Sequence, residues 1–148
     1  MTTPLKVWRE SEGRVLRLRP EPAEGEPHAE MIAALDRAFA EHVGNAHIAA
    51  ILLDTEGPHF SFGASVEEHL PDQCAAMLAG LHGLVMRMVE SPTPILAALR
   101  GQCLGGGLEV ALAAHLMFVA ADATLGQPEM KLGVFAPAAD AQPVELRT

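Results

Sequence analysis

Three features of this 148-residue sequence carry residue types that can do chemistry. The first is the glycine cluster Gly105-Gly-Gly107, set between an apolar run and an amphipathic one. With three side chains absent, a ligand can approach the backbone N–H groups directly. A helix start leaves such donors without intrahelical acceptors, and its dipole favours negative charge nearby. Donors aimed at a developing oxyanion make an oxyanion hole. The same glycines would equally serve a tight turn with close helix–strand packing. The second feature is a pair of carboxylates: Glu109, one turn into the helix that the glycines open, and Glu129, after Gly126-Gln-Pro. Taken singly, Glu109 is a dipole partner and Glu129 a loop acid. Beside an oxyanion hole, two carboxylates can hold a water and exchange protons with it. The third is Phe60-Ser-Phe-Gly-Ala-Ser65. Its Gly63-Ala-Ser65 departs from the nucleophile elbow G-x-S-x-G, because position 67 is Glu and no His is spaced to act as base.

Other chemistries fit the sequence poorly. No Lys-Ser/Thr follows the glycines, so they are not a P-loop, and their spacing is not G-x-G-x-x-G. The seven His residues show no H-E-x-x-H spacing, and the two cysteines, Cys74 and Cys103, are too few for a four-thiolate zinc site or a disulfide scaffold. Neither a metal nor a separate cofactor is expected. Lys and Arg number 10 against 19 Asp and Glu, a formal charge of −9 that argues against nucleic acid as a partner. The apolar run Val110–Ala121 is interrupted by His115 and is far shorter than the ~20 residues of a membrane span. No membrane partner is expected, and the sequence reads as a cytoplasmic protein.

These groups need elements to hold them. Leu5–Glu10 and Val15–Arg19 alternate apolar and polar residues around Ser11-Glu12-Gly13, predicting a hairpin whose turn uses Gly for a positive φ. Pro20–His28 is a loop by composition. Ile32, Leu35, Phe39 and Val43 fall at helical spacing from Ala29 on, with Gly44 as a stop. Ile48–Leu53 reads as a strand buried on both faces. Gln73–Val89 is helical, with Met77, Leu81, Leu84, Val85 and Met88 on one face. Ile95–Leu99 is a second buried strand, leading directly into the glycine segment and a helix through about His115. Leu116–Ala120 is a third strand and Ala123–Glu129 a short strand or turn. Strand and helix alternate, so the class is α/β. One domain is expected over residues 1–139, with 140–148 an unpatterned tail.

With these pieces in order, the sequence resembles the crotonase superfamily, the enoyl-CoA hydratase/isomerase family. The matching segments are Ile48–Leu53, Phe60–Ser65, Pro94–Arg100 running into Gly101–Glu109, Leu125-Gly-Gln-Pro-Glu129 and Leu132-Gly133. The likeness covers residues 5–139, about the first half of a usual member. It implies a crotonase-like (ClpP/crotonase) spiral of β-β-α units, truncated before the C-terminal helical region, and an acyl-CoA thioester as substrate partner, coenzyme A being part of the substrate. By motif match, the backbone N–H groups of Ala64 and Gly106 would form the oxyanion hole, with Glu109 and Glu129 as catalytic glutamates. Phe62, Gly63, Ser65, Gly105 and Pro128 would line the substrate. A homo-oligomer, trimer or hexamer, is implied as well.

Both glutamates are present, so the resemblance implies hydration of a conjugated thioester or its reverse. Ser65, where most members have Asp, and Phe135-Ala-Pro137, where most have a Pro-Gly-Ala-Gly-like turn, look like the cyclic dienoyl-CoA hydratases of anaerobic benzoyl-CoA degradation. Two other readings stay open: an isomerase using a single glutamate, and a non-catalytic scaffold that binds acyl-CoA or a partner. Lys6, Arg9 and Arg19 are candidates for the coenzyme A phosphate through their place on the hairpin.

Overall fold

The computed structural model describes residues 4–21, 28–61 and 71–128. The first hairpin joins β1 (Leu5–Glu10) to β2 (Val15–Pro20) in antiparallel register, Trp8 opposite Arg17. Its turn needs more than one left-handed residue: Ser11, Glu12 and Gly13 all have positive φ. Two non-glycine residues thus take a conformation that sequence reading assigned to Gly13 alone.

From β2 onward every pairing in the main sheet is parallel. Helix α1 (His28–His42) returns the chain to β3 (Ala50–Leu53), and α2 (Pro71–Val89) returns it to β4 (Ile95–Leu99). A short strand, β5 (Gln102–Leu104), intervenes before helix α3 (Gly106–Leu112), followed by β6 (Leu116–Val119) and β7 (Thr124–Gly126). The main sheet runs β1-β2-β3-β4-β6, while β5 and β7 pair in a second sheet. Ser61 joins that second sheet through a parallel bridge to Cys103. Successive turns of the chain therefore lay one strand in the main sheet (β3, β4, β6) and one in the small sheet (Ser61, β5, β7). This is a spiral of β-β-α units, as the resemblance implied.

Helical periodicity and burial agree closely. Phe39, Leu84 and Met88 are fully buried with Leu16, Leu18, Ile51, Leu53 and Ile95 of the sheet. Each such side chain contributes roughly 1.5–3 kcal/mol by leaving water. Gly44, at φ +81°, ends α1. Three sequence expectations need correction. The strand over 48–53 begins only at Ala50; Ile48 is buried but precedes the ladder, its N–H donating to Asn45 O. The glycine segment between Ile95–Leu99 and the helix is not a turn throughout, because Gln102–Leu104 forms β5 within it. The α3 helix stops at Leu112, not His115, because His115 turns back to the sheet. Its N–H donates to Ile95 O at 2.9 Å and its Nδ1 accepts from Ile95 N–H at 3.1 Å.

Candidate active site

Helix α3 is held on three sides. Leu108 and Ala111 pack with Ala97 and Leu99 of β4 and Cys103 of β5, and Phe60 joins this cluster to the main core. On the α2 side, Leu81 lies 3.7 Å from where a Cβ on Gly106 would stand. Gly105, the N-cap, has φ 56° and ψ −133°, a conformation open essentially to glycine. The first intrahelical bond runs from Glu109 N–H to Gly105 O at 3.1 Å. The preceding N–H groups, Gly106 among them, are thus the ones a helix start leaves for other acceptors.

Glu109 sits in this first turn and is only 6% exposed. A carboxylate is almost never buried this far unless something holds it, so Glu109 is not an ordinary dipole partner on a solvated face.

Two other segments are brought to the same turn by the small sheet. The Ser61 N–H donates to Gln102 O at 3.0 Å, and Leu104 N–H donates to Ser61 O at 2.9 Å. Ser61 immediately precedes Phe62-Gly-Ala-Ser65. On the other side, β7 pairs with β5 so that Gly126 stands opposite Leu104, and Gly105 N–H donates to Gly126 O at 3.0 Å. Gly126 is three residues before Glu129. Segments 61, 105–109 and 126–128, far apart in sequence, therefore meet at the start of α3.

Among the sequence-predicted residues, the structure places Gly105, Gly106 and Glu109 together, with Pro128 exposed beyond the end of β7. Phe62, Gly63, Ala64, Ser65 and Glu129 lie outside the described residues. Sequence reading placed Gly107 in the glycine cluster and Ser61 in the Phe60–Ser65 segment without linking the two, which meet face to face: a Cβ on Gly107 would fall on Ser61 Cβ and Oγ. A glycine at 107 was visible, but its need to be glycine was not.

Two of the hairpin bases, Lys6 and Arg19, have local partners. Arg19 donates to both Asp54 carboxylate oxygens, at 3.0 and 2.9 Å, and its hydrogen bond to Asp54 raises its pKa. Lys6 pairs with Glu21 at 2.5 Å, which raises the ammonium's pKa and lowers that of Glu21. An open groove of about 360 Å3 between α1 and α2, lined by Ile32, Ala33, Gly80 and Gly83, contains none of the site residues. Among the described residues no group of three His, Cys, Asp or Glu side chains is placed to hold a metal ion, and no helix is long and apolar enough to cross a membrane.

Residues 20–145 match the family model described as enoyl-CoA hydratase/isomerase. The chain belongs to that family. Enoyl-CoA hydratase/isomerase family relatives agree in sequence and in fold. The chain is 63% identical over 139 residues to a cyclohexa-1,5-dienecarbonyl-CoA hydratase of Thauera aromatica, matching 93% of this chain and 54% of that protein. Its fold matches an enoyl-CoA hydratase from Thermoplasma volcanium with a TM-score of 0.80 at 26% identity, over 92% of this chain and 56% of that one. An enoyl-CoA hydratase from Bacillus anthracis gives 0.83 at 22% identity, over 94% and 56%, a likeness of fold alone. The chain spans about half the length of these enoyl-CoA hydratase/isomerase relatives.

Proposed function

We propose that this chain carries the catalytic core of an acyl-CoA hydratase that adds water to a conjugated, cyclic dienoyl-CoA thioester. The observation that carries this reading is the buried Glu109 at the first turn of α3, where Ser61 and the end of β7 converge. The 63% identity to a cyclohexa-1,5-dienecarbonyl-CoA hydratase supports the substrate class.

The chemistry follows from where charge goes. Water adding to a conjugated thioester pushes electrons onto the thioester oxygen. Backbone N–H groups of Gly106 and Ala64 would receive that charge, and one such donor is worth ~2.7–4 kcal/mol of barrier. One glutamate takes a proton from the attacking water, and the other gives one to carbon, so a single molecule of water is consumed and no cofactor is needed. Glu109 and Glu129 are the two groups assigned to these proton transfers. The reading extends to a cytoplasmic homo-oligomer in aromatic compound degradation.

The test is water uptake by cyclohexa-1,5-diene-1-carbonyl-CoA, followed chromatographically, for the wild-type chain, Glu109→Gln and Glu129→Gln. Each substitution is expected to lower kcat by about 10²–10⁴, the usual worth of a general acid or base, with KM changed only a few-fold. Hydration that survives either substitution removes that glutamate from the mechanism. Shifted double bonds without water uptake would instead mark an isomerase, and thioester binding without turnover a scaffold.

A further inference from the structure

His115 does more than end α3. Ile51 N–H donates to Pro94 O at 2.8 Å on the β3 side of β4, so the next residue, Ile95, turns its own N–H and C=O toward β6. The Ile95 side chain is fully buried. A full-length strand beside it would offer one backbone donor and one backbone acceptor, but the chain there is still leaving α3. His115 supplies both from a single residue. Its N–H donates to Ile95 O at 2.9 Å, and its Nδ1 accepts from Ile95 N–H at 3.1 Å. A ring nitrogen thus stands in for a carbonyl, and only an unprotonated ring nitrogen can accept.

We propose that His115 is an acid-released clasp, closed while Nδ1 is bare and opened when Nδ1 takes a proton. Imidazole is the side chain whose charge ordinarily changes between about pH 8 and 5. A proton on Nδ1 sets one N–H against another and leaves the Ile95 N–H without an acceptor. The closed clasp excludes a proton that the open chain binds, so its contribution is present at neutral pH and lost on acidification. It fastens the exit of α3, the helix of Glu109, and the start of β6, which pairs with β4 alone among the described strands. Release therefore frees β6 and the end of α3 while β1, β2 and β3 stay paired. Few titratable groups lie on the elements packed around it. Neither β4 nor β6 carries one, α3 carries Glu109, and β5 carries Cys103. Helix α2 carries Asp72, Cys74, His82 and Arg87, the last paired with Asp36, and Glu90 follows it. Among the described residues, no ion pair reaches His115.

Amide hydrogen exchange of wild type, His115→Asn and His115→Ala, at about pH 7.5 and pH 5, tests the clasp. Each rate is divided by that of an unstructured amide at the same pH. Asparagine carries Oδ1 on Cγ where histidine carries Nδ1 and accepts at either pH, whereas alanine accepts at neither. Protection of the Ile95 amide in wild type is expected to fall about tenfold in acid, the scale of one buried backbone hydrogen bond. Amides of β6 should fall with it, while those of Leu16 and Leu18 keep their protection. His115→Asn should protect Ile95 at both pH values and His115→Ala at neither. His59, whose Nδ1 accepts from Gln102 N–H at 3.0 Å, responds to acid at a different amide, so residue-by-residue exchange keeps the two apart. A second reading needs no variant: two-bond proton–nitrogen spectra at pH 7.5 should show His115 bare at Nδ1 and protonated at Nε2.

Ile95 protection that is the same at both pH values in wild type, or that falls as far in His115→Asn, would overturn the clasp. So would a proton found on Nδ1 at pH 7.5. Protection lost evenly across β2, β3 and β4 in acid would mark global unfolding and overturn a local release. If His115→Ala does not fold, wild type against His115→Asn still decides. None of these readings involves a thioester, so the clasp stands or falls apart from the hydratase reading.

Discussion

At the scale of single residues, burial decides which cysteine ionises and reacts. Glu109 and Cys103 stand on adjoining elements, and both are nearly or fully enclosed. Enclosure withdraws the water that would solvate a thiolate, so burial pushes Cys103 up from its ordinary 9.0 to about 11. Because the folded-state value is the higher one, the contribution to stability is fully present below pH ~9. It is lost as pH rises toward 11, where the unfolded thiol ionises first. Two units correspond to about 2–3 kcal/mol. Urea unfolding at pH 8 and pH 11 should therefore show a smaller alkaline loss for Cys103→Ala than for wild type. Equal losses would mean that Cys103 ionises in the native state as easily as in water. In the same chain, a thiol reagent at pH 8 is expected to modify the partly exposed Cys74 and leave Cys103 until the protein unfolds.

At the scale of elements, two ion pairs tie distant segments and differ in surroundings. Arg87 of α2 grips Asp36 of α1 at 2.7 Å on the exposed outer surface. Asp54, after β3, is 9% exposed and takes both Arg19 and Arg17 of β2, whose guanidinium groups stack 5.1 and 5.6 Å from the Trp8 ring centre. Exposed pairs contribute little, whereas removing one partner of an enclosed pair strands the other. Asp54→Ala should therefore lower the melting temperature clearly more than Asp36→Ala, and equal effects would show that solvent screens both alike. The same contrast explains what the sequence made legible. Amphipathic periodicity located α1 and α2, and continuous apolar runs located the main strands, because burial patterns are written along the chain. The three-residue β5 was not legible: it has no room for a period, and its strand character comes from bridging Ser61 and Thr124–Gly126. Nor was the obligatory smallness of Gly107, which depends on a residue 46 positions earlier. Within the site, Glu109 was found by its place after the glycines. Its burial, which sets it apart from a dipole partner on a solvated face, is a property of packing that no local spacing encodes.

At the scale of the whole molecule, the two edges of the main sheet are unlike. The β1 edge carries Lys6, Arg9 and Glu10, charges that discourage another strand from pairing there. The β6 edge reads Leu116-Met-Phe-Val119, with no charge, and its four side chains are 39–59% exposed. Leu116 and Phe118 point to one face of the sheet and Met117 and Val119 to the other, so among the described residues neither face of this strand is covered. Leu112 and Leu125, also exposed, extend the apolar surface. An uncharged apolar edge is a template for further strand pairing. A polypeptide of these 148 residues is expected to associate with itself as concentration rises, which sedimentation velocity across the micromolar range would detect. Phe118→Lys places a charge on that edge without touching the fully buried core, and should shift the distribution toward monomer while leaving the circular dichroism spectrum intact. A wild-type chain that stays monomeric throughout would mean that β6 is covered in solution. A Phe118→Lys chain that associates as strongly as wild type would move the contact to another surface.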